Sequence, residues 1–282
     1  MYFGVDFKGG RTYVIRFDKV LPTTEIVNAL KTTLVDDKGN TYVPEVKTYG
    51  TANTVKITTA FLIDSDDENA DKIAEEKIKE GLNKLNANYE ILETQKVGPT
   101  IADDIKTAAF WSVIFSLLII FVYILFRFKK WQFGVGATVA LFHDVLIVLS
   151  IYSLFYGLLP FSLEIDQAFI AAILTVVGYS INDTVVVFDR IREYLGLPSY
   201  KKVPFDQIIN ASLNTTLSRT INTSMTTLFV LLIIFIFGGV VIRGFIFAIL
   251  IGILVGTYSS LFIATPLVYD LSKHLEENQN RK

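Results

Sequence analysis

The pattern of apolar and polar positions divides this chain near residue 100. Beyond the segment "VGPTIADDIK", most apolar stretches approach or exceed the roughly 20 residues needed to cross a hydrocarbon core. The pattern therefore predicts a bundle of five membrane-spanning helices within residues 101–272, followed by a short tail at 273–282. The predicted spans are Ala108–Phe126, Phe133–Leu159, Ala168–Phe188, Ile221–Phe237 and Gly244–Val268.

Residues 1–100 follow a different pattern, which is typical of a small α+β domain. "RTYVIRFD" alternates between apolar and polar side chains, and this alternation indicates a strand. "PTTEIVNALKTTL" places its apolar residues on one face of a helix that begins after the proline. A strand followed by an amphipathic helix is therefore the predicted start of the domain.

The remaining elements of this domain complete a known motif. "YVPEVKTYG" and "NTVKITTAFLI" flank a short "TA" connection and predict a hairpin. "DSDDENADKIAEEKIKEGLNKL" begins with acidic residues and has lysines towards its end, the charge order that a helix dipole favours. "YEILETQKV" predicts the last strand. The resulting order, β-α-β-β-α-β, predicts an α+β ferredoxin-like sandwich.

Composition excludes several classes of function. Hydrophobic residues make up 51% of the 282 positions and charged residues 19%, a balance typical of membrane proteins. The chain has no cysteine, so it has no disulfide, cysteine-ligated metal or thiol nucleophile. The formal net charge of −2 gives no sign of nucleic-acid binding. Since no nucleophile elbow, phosphate loop or HExxH helix is present, we expect a transport protein without a cofactor rather than an enzyme.

Lysine and arginine are distributed unevenly between the loops. "RFKKW" follows the first predicted span, "RIREYLGLPSYKK" follows the third, and the tail after the fifth is also basic. The other two loops, "GLLPFSLEI" and "GGVVIR", contain one basic residue, Arg243. Because basic loops remain in the cytoplasm, we expect a multi-pass protein of the bacterial cytoplasmic (inner) membrane. Its C-terminus would be cytoplasmic, and the domain at residues 1–100 would be extracytoplasmic.

An exported N-terminal domain needs a preceding segment to deliver it. Met1 is followed at once by "YFGVDFKGGRTYVIRF", which has the pattern of a folded domain rather than of a signal peptide. We therefore expect that a preceding span is missing. The chain would then be a fragment, or one half of a longer fused polypeptide.

Ionisable residues inside the predicted spans are the main candidates for function, since such residues are rare there and usually face a bundle interior or a wet cavity. Asp183 has no cation three or four residues away on its own helix, so its partner must come from another helix or from bound protons. By helical rise, Asp183 lies about 9 Å inside the end of its span. Arg219 reaches a similar depth if the fourth span enters the membrane near Asn214, which makes it the candidate cation.

The neighbouring polar residues have simpler explanations. His143 precedes Asp144 in the second span and is either a packed, hydrogen-bonded histidine or a group that tunes proton coupling. Asn182 and the Ser/Thr-rich stretch 210–227 favour interhelical hydrogen bonds over transport ligands. Asp189 and the charged residues after it are typical of a solvated helix end. The candidate proton-coupling residues are Asp183, Arg219, His143 and Asn182.

Glycine spacing predicts close packing between helices. Gly252 and Gly256 form a small-xxx-small pattern in the fifth span, and Gly178 lies in the third. Because glycine has no side chain, helix backbones approach closely at such positions. We expect all three glycines at helix contacts.

Five segments together resemble the SecF proteins of the SecD/SecF protein-export family. They are "GVDFKGGR", "VGP", "LFHDV", "GYSINDTVVVFDRIRE" and "SRTINTS". The likeness covers nearly the whole chain in the right order, and the segment from Gly178 to Glu193 is highly specific. The family is similar to the resistance-nodulation-division transporters. It normally has six spans, with an outside domain after the first.

This resemblance implies an accessory subunit of the Sec translocon that uses the proton motive force to promote preprotein translocation. It implies SecD, the SecYEG translocon, the unfolded preprotein and membrane lipid as partners. The family's proton-linked carboxylate falls on Asp183 and its basic partner on Arg219, while a further essential aspartate lies in SecD. Protein as the cargo follows from the resemblance alone.

Three functions compete at this point. The first is a proton-coupled component of an export motor, and the second is a small-molecule efflux transporter of the same superfamily. An outside domain of about 100 residues is small for drug capture, which favours the first. The third is a translocon scaffold in which Asp183 only joins helices, and such a scaffold should tolerate Asp183→Asn. Proton and sodium coupling both use carboxylates, and the sequence leaves that choice open.

Overall fold

Four strands and two main helices form the N-terminal region of the structure, which is a computed structural model. The strand order is β2-β3-β1-β4, and every neighbouring pair is antiparallel. This is the predicted ferredoxin-like arrangement, and it confirms the fold class. The elements are α1 (Val5–Lys8), β1 (Gly10–Phe17), α2 (Thr23–Lys31), β2 (Glu45–Tyr49), β3 (Thr51–Thr59), α3 (Ala70–Asn83) and β4 (Tyr89–Val97).

The chain divides into two compact units. The structure describes residues 2–36, 39–63, 65, 69–159 and 161–280. The first unit comprises Met1–Ala109, Phe155–Ala168 and Gly239–Gly244, and the second comprises Phe110–Leu154, Phe169–Gly238 and Phe245–Lys282. The first unit contains the sheet, and the second contains most of the membrane-spanning segments.

The core of the first unit lies between the sheet and its two main helices. Tyr13, Ile15 and Phe17, at alternate positions of β1, belong to this core, while Val14 between them is also buried but lies outside the cluster. Leu30 of α2 and Ile78 of α3 belong to the same buried cluster. One face of the sheet is thus covered by both helices.

Two local features of this unit differ from the sequence prediction. The hairpin turns at Gly50, whose φ is +77°, while the predicted "TA" connection belongs to β3. Glycine adopts a positive φ without the penalty that a side chain imposes, so it permits the tighter reversal. The predicted start of α3 falls partly on residues 64 and 66–68, which lie outside the described residues. The short helix α1 was not predicted.

Arg11 is a buried cation in this unit, and only 3% of its surface is exposed. Its Nε donates to the carbonyl of Phe61 at 3.1 Å, and its Nη2 lies 2.7 Å from the Asp71 carboxylate. Lys96 also donates to Asp71, at 2.5 Å. These hydrogen bonds from Lys96 and Arg11 hold the pKa of Asp71 below its ordinary value. The acidic start of α3 is thereby joined to β1 and β4.

Within the described part of the chain, five helical segments are long and apolar enough to cross a membrane, as predicted. The fifth runs from α8 through a π-helical segment into α9, and its membrane-crossing part is Ile242–His274. The elements are α4 (Pro99–Phe128), α5 (Trp131–Phe155), α6 (Gln167–Gly196), α7 (Phe205–Phe237), α8 (Val240–Ser259), the π-helix Ser260–Ala264 and α9 (Thr265–Asn280).

The five segments differ in how much of their surface the protein covers. In the most apolar 18-residue stretch of α4 and of α7, only 11% of the residues are buried. In the same stretch of α5, α6 and the fifth segment the buried share is 44%, 44% and 50%. An apolar surface left uncovered in a membrane protein is available to lipid. The interior of the helical unit is therefore formed mainly by α5, α6 and α8.

Glycine brings α6 and α8 together in this interior. A Cβ at Gly252 would lie 2.1 Å from Cγ2 of Val176, and a Cβ at Gly256 would lie 2.8 Å from Cβ of Ser180. Both predicted contacts are therefore present. The prediction for Gly178 is wrong: apart from its chain neighbours and its own helix backbone, no atom of the described residues lies within 4 Å of a Cβ built there.

Candidate functional site

Asp183 lies in the interior of the helical unit, 2% exposed, and accepts hydrogen bonds from two other helices. Its Oδ2 accepts from Ser224 Oγ of α7 at 3.2 Å and from Thr257 Oγ1 of α8 at 3.3 Å. The two hydroxyl oxygens are themselves 2.7 Å apart. Asp183 of α6 thus joins three membrane-spanning segments at one carboxylate.

Asp144 forms a second buried carboxylate site that the sequence analysis did not select. It is completely buried, and its Oδ2 accepts from Ser180 Oγ of α6 at 2.7 Å and from Ser259 Oγ of α8 at 2.9 Å. Its Oδ1 lies 3.3 Å from Nδ1 of His143. Removing a carboxylate from water is costly unless hydrogen bonds replace the lost solvation. These three contacts provide that replacement.

The two carboxylate sites share the contact between α6 and the fifth segment. Ser180 lies one helical turn before Asp183, and Thr184 Oγ1 is 2.8 Å from Ser260 Oγ. Ser260 begins the π-helix, and its carbonyl accepts from Thr265 Oγ1 at 2.9 Å. π-Helical segments are frequent at functional sites. The hydroxyl groups of Thr184 and Ser260 therefore meet where the fifth segment changes from α-helix to π-helix.

The predicted site residues are only partly assembled around Asp183. His143 contacts Asp144 instead, and its side chain is 32% exposed. Asn182 and Arg219 are exposed on α6 and α7. Among the described residues, Arg219 forms no ion pair with Asp183, so the predicted pairing is absent from this structure. Ser224, five residues after Arg219, occupies the place expected for the cation.

Asp189 lies apart from these sites and behaves as a helix-end residue. Its Oδ1 accepts from Arg127 Nη2 at 3.0 Å and from Arg192 Nη2 at 2.6 Å. Its side chain is 47% exposed. Exposed ion pairs of this kind contribute little to stability. Asp183 and Asp189 therefore differ sharply in environment although they share a helix.

The comparisons with known proteins identify two family matches. Residues 77–274 match "Protein export membrane protein SecD/SecF, C-terminal", which covers more than half of the chain. The chain belongs to the SecD/SecF family. Residues 1–19 match the "SecD/SecF GG Motif", and the longer match includes both buried carboxylates.

The SecD/SecF relatives cover the chain almost completely. "Protein translocase subunit SecF" of Rhodothermus marinus is 51% identical over 268 residues, which are 95% of this chain and 82% of the relative. The protein of the same name from Desulfurispirillum indicum is 40% identical over 280 residues, 97% of this chain and 83% of the relative. Names of this kind describe a transport role.

A solved structure of the same family has the same fold. "Crystal structure of SecDF in Super-membrane-facing form" is similar with a TM-score of 0.66 and 33% identity. The similarity covers 100% of this chain and 36% of the SecDF chain. This SecD/SecF family member therefore spans about a third of the length of that protein.

Asp144→Ala is expected to destabilise this SecD/SecF protein. The change leaves the buried Ser180 hydroxyl without its acceptor, which costs about 1–3 kcal/mol, and it leaves Ser259 only the Gly256 carbonyl. Thermal unfolding in detergent should show a lower midpoint than wild type. Asp270→Ala, which removes an exposed acid from α9, is the matched control and should leave the midpoint unchanged. Equal midpoints for Asp144→Ala and wild type would contradict the structural role assigned to this carboxylate.

Proposed function

We propose that this chain acts with SecD as an accessory subunit of the Sec translocon and uses the proton motive force to promote preprotein translocation. The observation that carries the proposal is Asp183, a carboxylate 2% exposed inside a membrane-spanning helix of a protein-export family member. The names of its relatives, translocase subunit and SecDF, support protein as the cargo and SecD as the partner. SecYEG, unfolded preprotein and membrane lipid complete the proposed set of partners.

Asp183 is the proposed proton carrier. Its ionised form is costly away from water, and its hydroxyl partners contribute no formal charge to offset it. A proton that arrives from outside would neutralise the carboxylate. Each proton that crosses the membrane releases about 2.3 kcal/mol per 100 mV, which is enough to bias a two-state arrangement of helices.

Arg219 is the proposed counter-charge in the other state. Ser224, which donates to Asp183, follows Arg219 by five residues, or about 7.5 Å along α7. The guanidinium is always protonated and carries five donors, so the aspartate must be the group that titrates. We propose that ionised Asp183 attracts Arg219 and that protonation releases it. The two charge states would then favour two arrangements of α6 and α7.

His143 and Asn182 are proposed to assist the coupling rather than to carry it. His143 contacts the completely buried Asp144 and is itself partly exposed, so it connects that carboxylate to the surface of the helical unit. Asn182 is exposed beside Asp183 in the sequence, where side chains of a partner subunit can reach it.

The proposed orientation places residues 1–100 outside the cytoplasm and the tail at 273–282 inside, in a multi-pass protein of the bacterial cytoplasmic membrane. The support comes from the basic residues: lysines follow α4 and α6, whereas the opposite turns, from α5 to α6 and from α7 to α8, have one basic residue, Arg243, in the first turn of α8. A proton entering from outside would then reach Asp183 from the side of the N-terminal domain.

The test is preprotein export into inverted membrane vesicles that contain SecD, the translocon and this chain. A gradient that is acid inside the vesicles should accelerate export, and vesicles without this chain should show no such acceleration. An uncoupler should reduce the export rate to the value measured without a gradient. Because the chain has no cysteine, a single Asn88→Cys reporter can verify that the domain faces the lumen.

Two results would replace the proposal with an alternative. Equal export rates with and without the gradient would leave a scaffold for the translocon. Gradient-dependent efflux of small molecules, without any effect on export, would identify an efflux transporter.

A further inference from the structure

Asp6 is a buried acid in the GG-motif region that the proposed mechanism does not use. It lies on α1 and is 6% exposed. Its Oδ1 accepts from Gln95 Nε2 of β4 at 2.7 Å, and its Oδ2 accepts from the backbone N–H of Gln167 at 2.8 Å. Gln167 is the first residue of α6. One carboxylate therefore connects the sheet to the start of a membrane-spanning helix.

The contact with Gln167 occurs where a helix needs an acceptor. The first N–H groups of an α-helix have no acceptor within the helix, and the N-terminus carries a partial positive charge. A carboxylate satisfies both requirements. Here the acceptor comes from a residue 161 positions earlier in the chain. The start of α6 is therefore bonded to a distant part of the fold.

Three more contacts hold the same segment. The backbones of Phe3 and Ile165 pair, with Gly4 N–H donating to Ile165 O at 2.8 Å and Ile165 N–H donating to Tyr2 O at 2.9 Å. Lys56 of β3 forms a 2.5 Å ion pair with Glu164, and both side chains are largely buried. The rings of Tyr2 and Tyr156 stack with centroids 3.7 Å apart.

These contacts define what is called here the α6 clamp: residues 2–6, Lys56 and Gln95 on one side, and Tyr156 with residues 164–167 on the other. Backbone pairing, an ion pair, ring stacking and a helix-end carboxylate act together over a short segment. All members of the clamp belong to the first unit. The beginning of α6 is therefore bonded to the unit that contains the sheet.

The far part of the same helix carries Asp183. Asp183 lies sixteen residues after Gln167, which is about 24 Å along a continuous α-helix. An α-helix hydrogen-bonded at every turn transmits axial displacement instead of absorbing it. Because α6 is one continuous helix from Gln167 to Gly196, it offers a direct path from Asp183 to the clamp.

We propose that the α6 clamp transmits the proton-driven movement of α6 to the N-terminal domain, with Asp6 as its positioning residue. The inference rests on the proposed function, because the clamp is the path by which a charge change at Asp183 would reach the N-terminal domain. Asp6 itself neither carries the proton nor contacts the cargo. Its proposed role is to keep the α6 clamp closed while α6 moves.

Asp6→Ala should uncouple the protein without unfolding it. It removes the acceptor for both Gln95 and Gln167, and loss of one charge-assisted hydrogen bond shifts an equilibrium by about tenfold or more. The gradient-stimulated export rate should fall by about that factor, while export without a gradient and co-purification with SecD remain at wild-type levels. Asp6→Asn, tested in parallel, keeps one carbonyl acceptor and should give an intermediate rate.

The matched control removes an acid from an exposed position of the same unit. Asp103 of α4 pairs with Lys106, and its side chain is 76% exposed. Asp103→Ala should leave gradient-stimulated export unchanged. A similar loss in Asp103→Ala and Asp6→Ala would overturn the assignment to the clamp.

A covalent bond can replace the clamp. A Cβ built at Gly4 lies 3.2 Å from Cβ of Asp166, and a disulfide needs about 3.5–4.5 Å, so a small adjustment suffices. The φ of Gly4 is −70°, which a cysteine can adopt. The chain has no other cysteine to interfere. Gly4→Cys combined with Asp166→Cys therefore provides an oxidisable joint at the clamp.

The oxidised joint should restore gradient-stimulated export to Asp6→Ala and to Asp6→Asn, and reduction should remove the effect. With Asp6 present, the oxidised joint should leave the wild-type rate unchanged, because the clamp stays closed. Each cysteine alone should restore nothing. A folded Asp6→Ala protein that the disulfide fails to restore would overturn the clamp.

The same assay separates failure of this inference from failure of the proposed function. Wild-type rates for Asp6→Ala, in an assay where Asp183→Asn is inactive, would reject the clamp and keep proton coupling. Loss of activity in the oxidised joint with Asp6 present would also reject it, since the segments would then have to separate. Absence of any gradient effect in wild type would reject the proposed function and this inference together.

Discussion

Asp183→Asn is expected to abolish the gradient-stimulated part of export while the protein remains folded. Asparagine has nearly the same shape as aspartate, and its side-chain oxygen can still accept from Ser224 and Thr257. It cannot take up or release a proton, so the site is fixed in one charge state. The measurement is the export rate in vesicles with and without an imposed gradient. Melting temperature and yield should match wild type.

Three further variants make this result specific. Asp189→Asn removes the same charge from the same helix at a 47% exposed position, and it should retain gradient stimulation. Arg219→Met should be as inactive as Asp183→Asn, and Arg219→Lys should be intermediate because it keeps the charge but loses the planar donor fork. Gradient-dependent export by Asp183→Asn at the wild-type rate would refute the proton-carrier role and leave the scaffold.

Gly252→Ala should destabilise the helical unit by forcing α6 and α8 apart. The new methyl would lie 2.1 Å from Cγ2 of Val176, a side chain that is completely buried. Overpacking of this kind costs about 1–3 kcal/mol. A lower midpoint of thermal unfolding in detergent is the expected result. Because Ser180 and Thr184 lie on the α6 surface that meets the fifth segment, export should also decline.

Gly178→Ala is the control for this change, since it adds the same methyl to an α6 position with open space around it. It should leave the midpoint unchanged. Val176→Ala, introduced together with Gly252→Ala, removes the two closest carbons and should recover part of the loss. Equal midpoints for Gly252→Ala and Gly178→Ala would show that the helices do not approach as closely as the structure indicates.

The domain at the N-terminus was predictable because short-range patterns decide its elements. Alternation at Tyr13, Ile15 and Phe17 predicts a strand with one buried face; the structure buries all three, and it buries Thr12 and Val14 on the strand as well. The turn was misplaced by a residue or two, because glycine's tolerance of positive φ at position 50 outweighed the small residues that follow it. α1 was missed because four residues are too few to show a helical period.

The candidate site was predictable only where a single residue is unusual by itself. Asp183 is conspicuous as an acid in an apolar run, and the structure buries it. The hydroxyls that hold it come from helices far away in the sequence, and nothing in the sequence ranks Ser224 above the other Ser and Thr residues of α7. Helical rise predicts how deep Arg219 lies in the membrane but not which side of α7 it faces. In the structure Arg219 is exposed.

Asp144 was missed for a related reason. The sequence favours its neighbour His143, because histidine is the side chain that titrates nearest neutral pH, yet the acid is completely buried while the histidine is partly exposed. The signal that could have found it is the small polar residue Ser180, one turn before Asp183 on the same helix. The buried contact between α6 and the fifth segment thus contains two carboxylate sites, at Asp144 and Asp183, and the sequence pattern around Asp183 indicates only one of them.

The hydroxyl groups around Asp183 have a consequence for how the proposed proton would be exchanged. A hydroxyl has one donor and two acceptor lone pairs and can rotate, so it can donate to a carboxylate and then accept from a carboxylic acid. An ammonium or guanidinium group can only donate. Ser224 and Thr257 can therefore reverse their hydrogen bonds while their backbones stay in place. If Asp183 carries the proposed proton, loading and unloading it would need only a turn of two O–H bonds, and the proposed rearrangement of the helices would be a separate, later event.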